Sequence, residues 1–259
     1  MPFAQLKDGR IHYEIEGPPD APALVFSNSL GATLSMWDSQ MSAFEKKFRV
    51  LRYDTRGHGQ SSATPGPFTI EQLGRDVLAL LDELHFDRVN FCGLSMGGQT
   101  GMWLALNAAV RLNKLILSNT AAKIGTPEMW NTRIEAARKG GMNSISAAVM
   151  ERWFSTDFRS NSPDVITTIK QSFERTNPEG YAANCAAIRD FDARETIAAN
   201  RTPTLVISGT HDVATTPADG RFLADHIKGA RYVELNAAHL SNIEAPDRFN
   251  TELSTFLQS

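Results

Sequence analysis

The sequence has only two cysteines in 259 residues, Cys92 and Cys185. That is too few for a disulfide framework, and nothing in the chain asks for an oxidising compartment. Cys92 falls in an apolar run and reads as a buried thiol, whereas Cys185 falls in a helical stretch. Concentrated positive charge is also missing. The net charge is −3, and the densest basic groups are pairs such as Lys46-Lys47 and Arg138-Lys139. This excludes a nucleic-acid binder, which needs a basic surface to neutralise phosphates. No uninterrupted apolar run is long enough to span a bilayer, so no membrane segment is expected. The start, Met1-Pro2-Phe3-Ala4-Gln5-Leu6-Lys7-Asp8, meets charge too early for a signal peptide. Internal repeats and low-complexity tracts are absent as well. The expectation is a soluble, cytoplasmic protein, with a homo-oligomer left open.

What is present is ordinary for a globular chain: 42% hydrophobic and 21% charged residues, at a length that suits one large α/β domain. Short apolar runs alternate with helical patterns. Ile11 to Ile15 alternates apolar and polar, which suits an edge strand. Ala23-Leu24-Val25-Phe26 is continuously apolar, as a buried central strand should be. Further strands are expected at Phe48 to Tyr53, Arg88 to Leu94, Leu115 to Leu117, Thr204 to Ile207 and Arg231 to Leu235. Helices are expected at Ile70 to Leu84, Met96 to Asn107, Pro217 to Ile227 and Ala245 to Leu257. This alternation implies a mostly parallel, doubly wound α/β sheet. From Ala121 to Thr196 the rhythm breaks into helices only. Pro127 and Pro163 follow Thr126 and Ser162, residues able to cap a helix. Gly140-Gly141 separates two of the helices, and Asn177-Pro178 introduces another. The expected division is a core of residues 1–120 and 197–259 with a four-helix cap at 121–196.

Gly93-Leu94-Ser95-Met96-Gly97 matches G-x-S-x-G between an apolar strand and a helix. A serine there sits on a tight strand-to-helix turn with its hydroxyl exposed at the end of the sheet. The helix start also places backbone N–H groups beside a reacting carbonyl. A serine hydroxyl needs a base, and six histidines compete for the role. His12, on an early strand, and His85, at a helix end, read as exposed or capping, and His226 as a surface residue. His58, in Asp54-Thr55-Arg56-Gly57-His58-Gly59, reads as stabilising its loop. His211 reads as a pocket or surface residue beside the acid. His239 follows the last strand, and the order Ser…Asp…His makes it the base. Asp212, in the loop after Thr204 to Ile207, is the acid that orients the base. The other loop able to supply an acid holds Ser118-Asn119 and no carboxylate. An oxyanion hole needs two donors. Met96 N–H follows the nucleophile directly, and Leu30 N–H comes from the loop Ser27-Asn28-Ser29-Leu30-Gly31.

With these residues in place, the chain resembles the 3-oxoadipate enol-lactonases of the β-ketoadipate pathway, a family within the α/β-hydrolases. The resemblance rests on Ser27 to Gly31, Arg52 to Gly59, Phe91 to Gly98, Ser118 to Gly125, Arg152-Trp153-Phe154, Gly180-Tyr181 and Ser208 to Asp212. It implies the α/β-hydrolase fold and hydrolysis of 3-oxoadipate enol-lactone to 3-oxoadipate, a step in protocatechuate and catechol breakdown. Such a reaction calls for no metal or organic cofactor, only the small-molecule lactone and water. The lactone's acetate arm needs a cation, and the cap offers Arg133, Arg152 and Arg189. Arg133 lies three residues after Trp130 on one helix, so both face one side; these two, with Trp153 as a further wall, are the expected substrate contacts. A carboxylesterase or a haloperoxidase-like hydrolase would keep the same triad, and a receptor on this fold would hydrolyse slowly. Attack through an acyl-enzyme and direct attack by water both stay open at this point.

Overall fold

In the computed structural model, which describes residues 2–259, the seven expected strands are joined by an eighth. The strands are β1 (Phe3–Leu6), β2 (Gly9–Glu16), β3 (Ala23–Ser27), β4 (Arg49–Tyr53), β5 (Val89–Leu94), β6 (Leu112–Ser118), β7 (Thr204–Gly209) and β8 (Arg231–Leu235). They form one sheet in the order β1-β2-β4-β3-β5-β6-β7-β8. The pairs made by β2 are antiparallel, and the pairs from β4 to β8 are all parallel. The reading of Ile11 to Ile15 as an edge strand is corrected: β1 pairs outside β2, with Ala4 opposite Ile11. Four residues are too few for their alternation to stand out as a strand.

Helices connect the strands: α1 (Asp38–Phe44), α2 (Ile70–Glu83), α3 (Met96–Asn107), α4 (Pro127–Gly140), α5 (Asn143–Trp153), α6 (Thr156–Asn161), α7 (Pro163–Glu174), α8 (Pro178–Asp190), α9 (Pro217–His226), α10 (Ser241–Glu244) and α11 (Pro246–Gln258). The period-2 geometry of β3 sends alternate side chains to two cores. Leu24 and Phe26 join Trp37 and Phe249 on one face, and Val25 joins Leu80, Leu104 and Leu223 on the other. Strands β3 and β5 are buried along their full length, as continuous apolar runs between two helical layers must be. Among the described residues no helix is long and apolar enough to cross a membrane.

Helices α4 to α8 lie between β6 and β7, so the insertion holds five helices where four are expected. The extra one is the single short helix α6. Thr126 Oγ1 accepts the Met129 N–H at 3.3 Å and starts α4, with Pro127 in its first turn. Asn177 does the same for α8 through the Gly180 N–H at 2.9 Å. Ser162 departs from the expected capping role: its side chain makes no capping bond, and it serves as the joint between α6 and α7. Gly141, at φ +67°, ends α4 as the Gly140-Gly141 pair suggests.

Candidate active site

All the residues expected to react lie at the carboxyl ends of β3, β5, β7 and β8, the side of a parallel sheet where ligands bind. Ser95 occupies the turn from β5 to α3 with φ +57° and ψ −113°. A side chain in this conformation is strained, at roughly 1–3 kcal/mol, and the surroundings enforce it. The Ser95 N–H donates to Ser118 O at 3.0 Å, and Ser95 O accepts from Thr120 Oγ1 at 2.7 Å. The flanking glycines allow the close packing: a β-carbon on Gly93 would stand 2.1 Å from Gly97 O, and one on Gly97 would stand 2.3 Å from Ser27 O. Ser95 stays 7% exposed and opens into a cavity shared with His239.

His239 Nδ1 donates to Asp212 Oδ2 at 2.8 Å, with both side chains almost wholly buried. The carboxylate also accepts from Thr215 Oγ1 at 2.8 Å, Asn119 Nδ2 at 2.9 Å, and the N–H groups of Ala214 at 2.8 Å and Thr215 at 3.0 Å. Burial alone would raise the pKa of Asp212. The charge of His239, with the hydrogen bonds from His239, Thr215 and Asn119, outweighs burial and holds it near about 2. The acid is thus ionised at neutral pH, and the imidazole is held in the tautomer that leaves Nε2 free to accept a proton.

The loop after β3 and the start of α3 meet beside Ser95. Among the described residues the Leu30 and Met96 N–H groups have no acceptor within the protein, although both residues are buried. Unpaired buried N–H groups are rare, and a pair of them next to a serine suits an oxyanion.

The cavity, of about 380 Å³, runs between the sheet rim and the inserted helices. Trp130, Arg133 and Trp153 all line it. Trp130 is anchored by its Nε1–H to Ile124 O at 2.7 Å, and the Arg133 guanidinium stacks 5.3 Å over its ring. Trp153 packs edge-on to Phe173 and also walls a second hollow of about 420 Å³ beside the first. Arg152 lines the cavity too, so two of the three candidate arginines reach it. Burial, and then the neighbouring charge of Arg133, push the Arg152 guanidinium below its usual range. Among the described residues no carboxylate pairs with either arginine. Arg189, by contrast, is bound to Asp190 and Asn131 outside the cavity.

Three positions depart from the sequence reading or extend it. His12, read as exposed or capping, is buried, and its Nδ1 donates to Asp54 Oδ2 at 2.8 Å; His85 and His226 are exposed as expected. Asn119 and Tyr181 were not singled out. Asn119, at φ +43°, ties Asp212 to Ala238 O, and its Oδ1 accepts from Ser241 at 2.6 Å. An asparagine directly after a strand is the available signal, because it tolerates that backbone better than most residues. Tyr181, on α8, lines the cavity beside Arg133. His211 is exposed and pairs with Asn236 at 2.9 Å, away from the Ser95 cavity.

A family model described as alpha/beta hydrolase fold matches residues 22–246. The chain is 44% identical over 244 residues to 3-oxoadipate enol-lactonase 2 of Acinetobacter baylyi, covering 94% of this chain and 91% of that one. A crystal structure of the enol-lactonase from Burkholderia xenovorans superposes with a TM-score of 0.98 at 52% identity, covering all of both chains. A thermophilic esterase from Thermogutta terrifontis superposes at 0.90 with 29% identity, covering 96% of this chain and 93% of that one. The strained serine, the buried histidine–aspartate pair and these likenesses agree: the chain belongs to the alpha/beta hydrolase fold family and, within it, groups with the 3-oxoadipate enol-lactonases.

Proposed function

We propose that this chain hydrolyses 3-oxoadipate enol-lactone to 3-oxoadipate through Ser95, His239 and Asp212. The observation that carries the reading is one cavity holding both a strained serine beside a buried His–Asp pair and two arginines without carboxylate partners. The reaction uses each part. Ser95 Oγ adds to the lactone carbonyl as His239 Nε2 takes its proton. The Leu30 and Met96 N–H groups hold the resulting oxyanion. The ring C–O bond breaks, and the enolate leaves, gains a proton on carbon and becomes the ketone. Water, deprotonated by His239, then adds to the acyl-enzyme, and Ser95 departs with its proton restored. Direct attack by water on the lactone needs the same base and the same two donors.

Arg133 and Arg152 account for the acetate arm, since a buried carboxylate needs a paired cation. Residues 121–196 act as a cap over a core of 1–120 and 197–259, and Trp130 and Trp153 form apolar walls. Supported as well is a place in the cytoplasm, in aromatic breakdown. Steady-state hydrolysis of the enol-lactone beside a neutral aryl ester tests the reading. Much faster turnover of the lactone is expected. Fast turnover of the ester alone would point to an esterase, and tight lactone binding without turnover to a receptor.

A further inference from the structure

The loop from Asn28 to Leu34 carries one proposed oxyanion donor, yet it is not part of any helix or strand through Thr33. Something must hold it to within a few tenths of an ångström, because an oxyanion donor works only if it is aimed beforehand. Its ends are anchored by ordinary means. Asn28 Nδ2 donates to Tyr53 O at 2.8 Å, and the Leu34 N–H donates to Asp54 Oδ1 at 2.8 Å. Its middle is held differently: the Gly31 N–H donates to His58 Nε2 at 2.7 Å, and His58 is 1% exposed.

We propose that His58 is a positioning residue, which accepts the Gly31 N–H and so aims the preceding Leu30 N–H at the oxyanion. This rests on the hydrolase reading above. The peptide plane is rigid, so pinning the Gly31 N–H orients the Leu30–Gly31 peptide and leaves only the φ and ψ of Leu30 between that plane and the Leu30 N–H. The imidazole is itself buried against the loop after β4 and α8. Its Nδ1–H lies 3.4 Å from Arg56 O, and Asn184 Nδ2, on α8, donates to Arg56 O and to Gly180 O at 2.8 Å each. Burial pushes the His58 ring down to about 4, which keeps Nε2 unprotonated and able to accept at neutral pH. The same clamp reaches the substrate end of the cavity, because α8 also carries Tyr181, which lies beside Arg133.

Three variants test this. In His58→Leu the acceptor is gone; in His58→Gln the amide oxygen reaches about as far as Nε2; in His58→Asn the side chain keeps its polarity but falls short. Two readouts are used: the kcat and KM split on lactone and neutral ester, and the rate at which a fluorophosphonate labels Ser95. The leucine and asparagine variants are expected to lose kcat on the order of a hundredfold, the scale of one oxyanion donor, with KM nearly unmoved. The glutamine variant recovers most of that rate, and labelling follows the same ranking. Parent-like kcat and labelling in the asparagine variant would overturn the proposal. So would a loss residing in KM, or a folded glutamine variant no faster than the other two. Labelling does not depend on the natural substrate. A parent chain that labels fast yet leaves the lactone intact would therefore refute the lactonase reading alone.

Discussion

Among the described residues there are two buried histidine–aspartate pairs of the same geometry. His239–Asp212 and His12–Asp54 each join Nδ1 to Oδ2 at 2.8 Å, with all four side chains nearly inaccessible. They differ in what surrounds them. Asp54 spends its other oxygen on the Leu34 N–H and shares Oδ2 with the Gln60 N–H at 3.0 Å, while the far nitrogen of His12 faces Gln60. That pair ties the strand β2 and the loops after β3 and β4 together. His239 instead presents its far side to a cavity, next to a serine in a strained turn. A short hydrogen bond between imidazole and carboxylate is thus a fastening in one place and, on the proposed reading, half of a proton-transfer device in the other. The neighbours of the free nitrogen decide which.

The largest effect that separates the two pairs is at the nucleophile. Ser95→Ala is expected to lower kcat by on the order of ten-thousandfold or more, as removal of a triad serine does elsewhere, and steady-state assay reads it. Most activity surviving would remove Ser95 from the chemistry. Matched substitutions then compare the pairs directly. Asp212→Asn should lower kcat on the order of ten-thousandfold by releasing the tautomer, and it should cost stability as well, because the buried carboxylate accepts five hydrogen bonds. Asp54→Asn should act on stability alone, costing on the order of 3 kcal/mol in urea unfolding while kcat stays within about tenfold. Equal kinetic losses in the two variants would erase the distinction.

How much of this was legible in sequence follows from the same contrast. The G-x-S-x-G turn, the acid loop and the final histidine are local patterns with fixed chain order, so Ser95, Asp212 and His239 can be named before any coordinates exist. Pairing between residues far apart in sequence leaves no such mark. His12 and Asp54 are 42 positions apart, and nothing near His12 announces its partner. The fold was legible wherever strands are long and buried. It was missed at Phe3–Leu6, where only Ala4 and Leu6 reach the core and four residues are too few for alternation to show, and at α6, where one turn and a half is too short for periodicity to show. Arg152 was visible as a candidate, but its convergence with Arg133 depends on how α4 and α5 pack.

Smaller effects refine the substrate end and the loop held by His58. Arg133→Ala is expected to raise KM for the lactone roughly tenfold, the scale of one charge-assisted hydrogen bond, and to leave KM for a neutral ester nearly unchanged. Equal shifts would take Arg133 out of carboxylate binding. His58 contributes a pH dependence whose sign is fixed. In the unfolded chain the ring gains its proton near 6.5, and in the native state only near about 4. Between those values the unfolded state holds the extra proton, so stability rises with pH and is lost as pH falls from 6.5 towards 4. The full difference is on the order of 3 kcal/mol. His58→Gln should flatten that slope in urea melts at pH 7 and pH 4.5, and a slope equal to the parent's would contradict the assignment.

Trp153 stands as a partition between the reacting space and a neighbouring hollow of about 420 Å³ that is walled mainly by α7 and the segment around α1. If the proposed reaction runs in the first space, the room for an acyl group is bounded on that side by one indole on an inserted helix, not by the sheet. A lineage selected for bulkier esters needs to trim a single ring to double its available room, and the serine, histidine and aspartate can stay where they are.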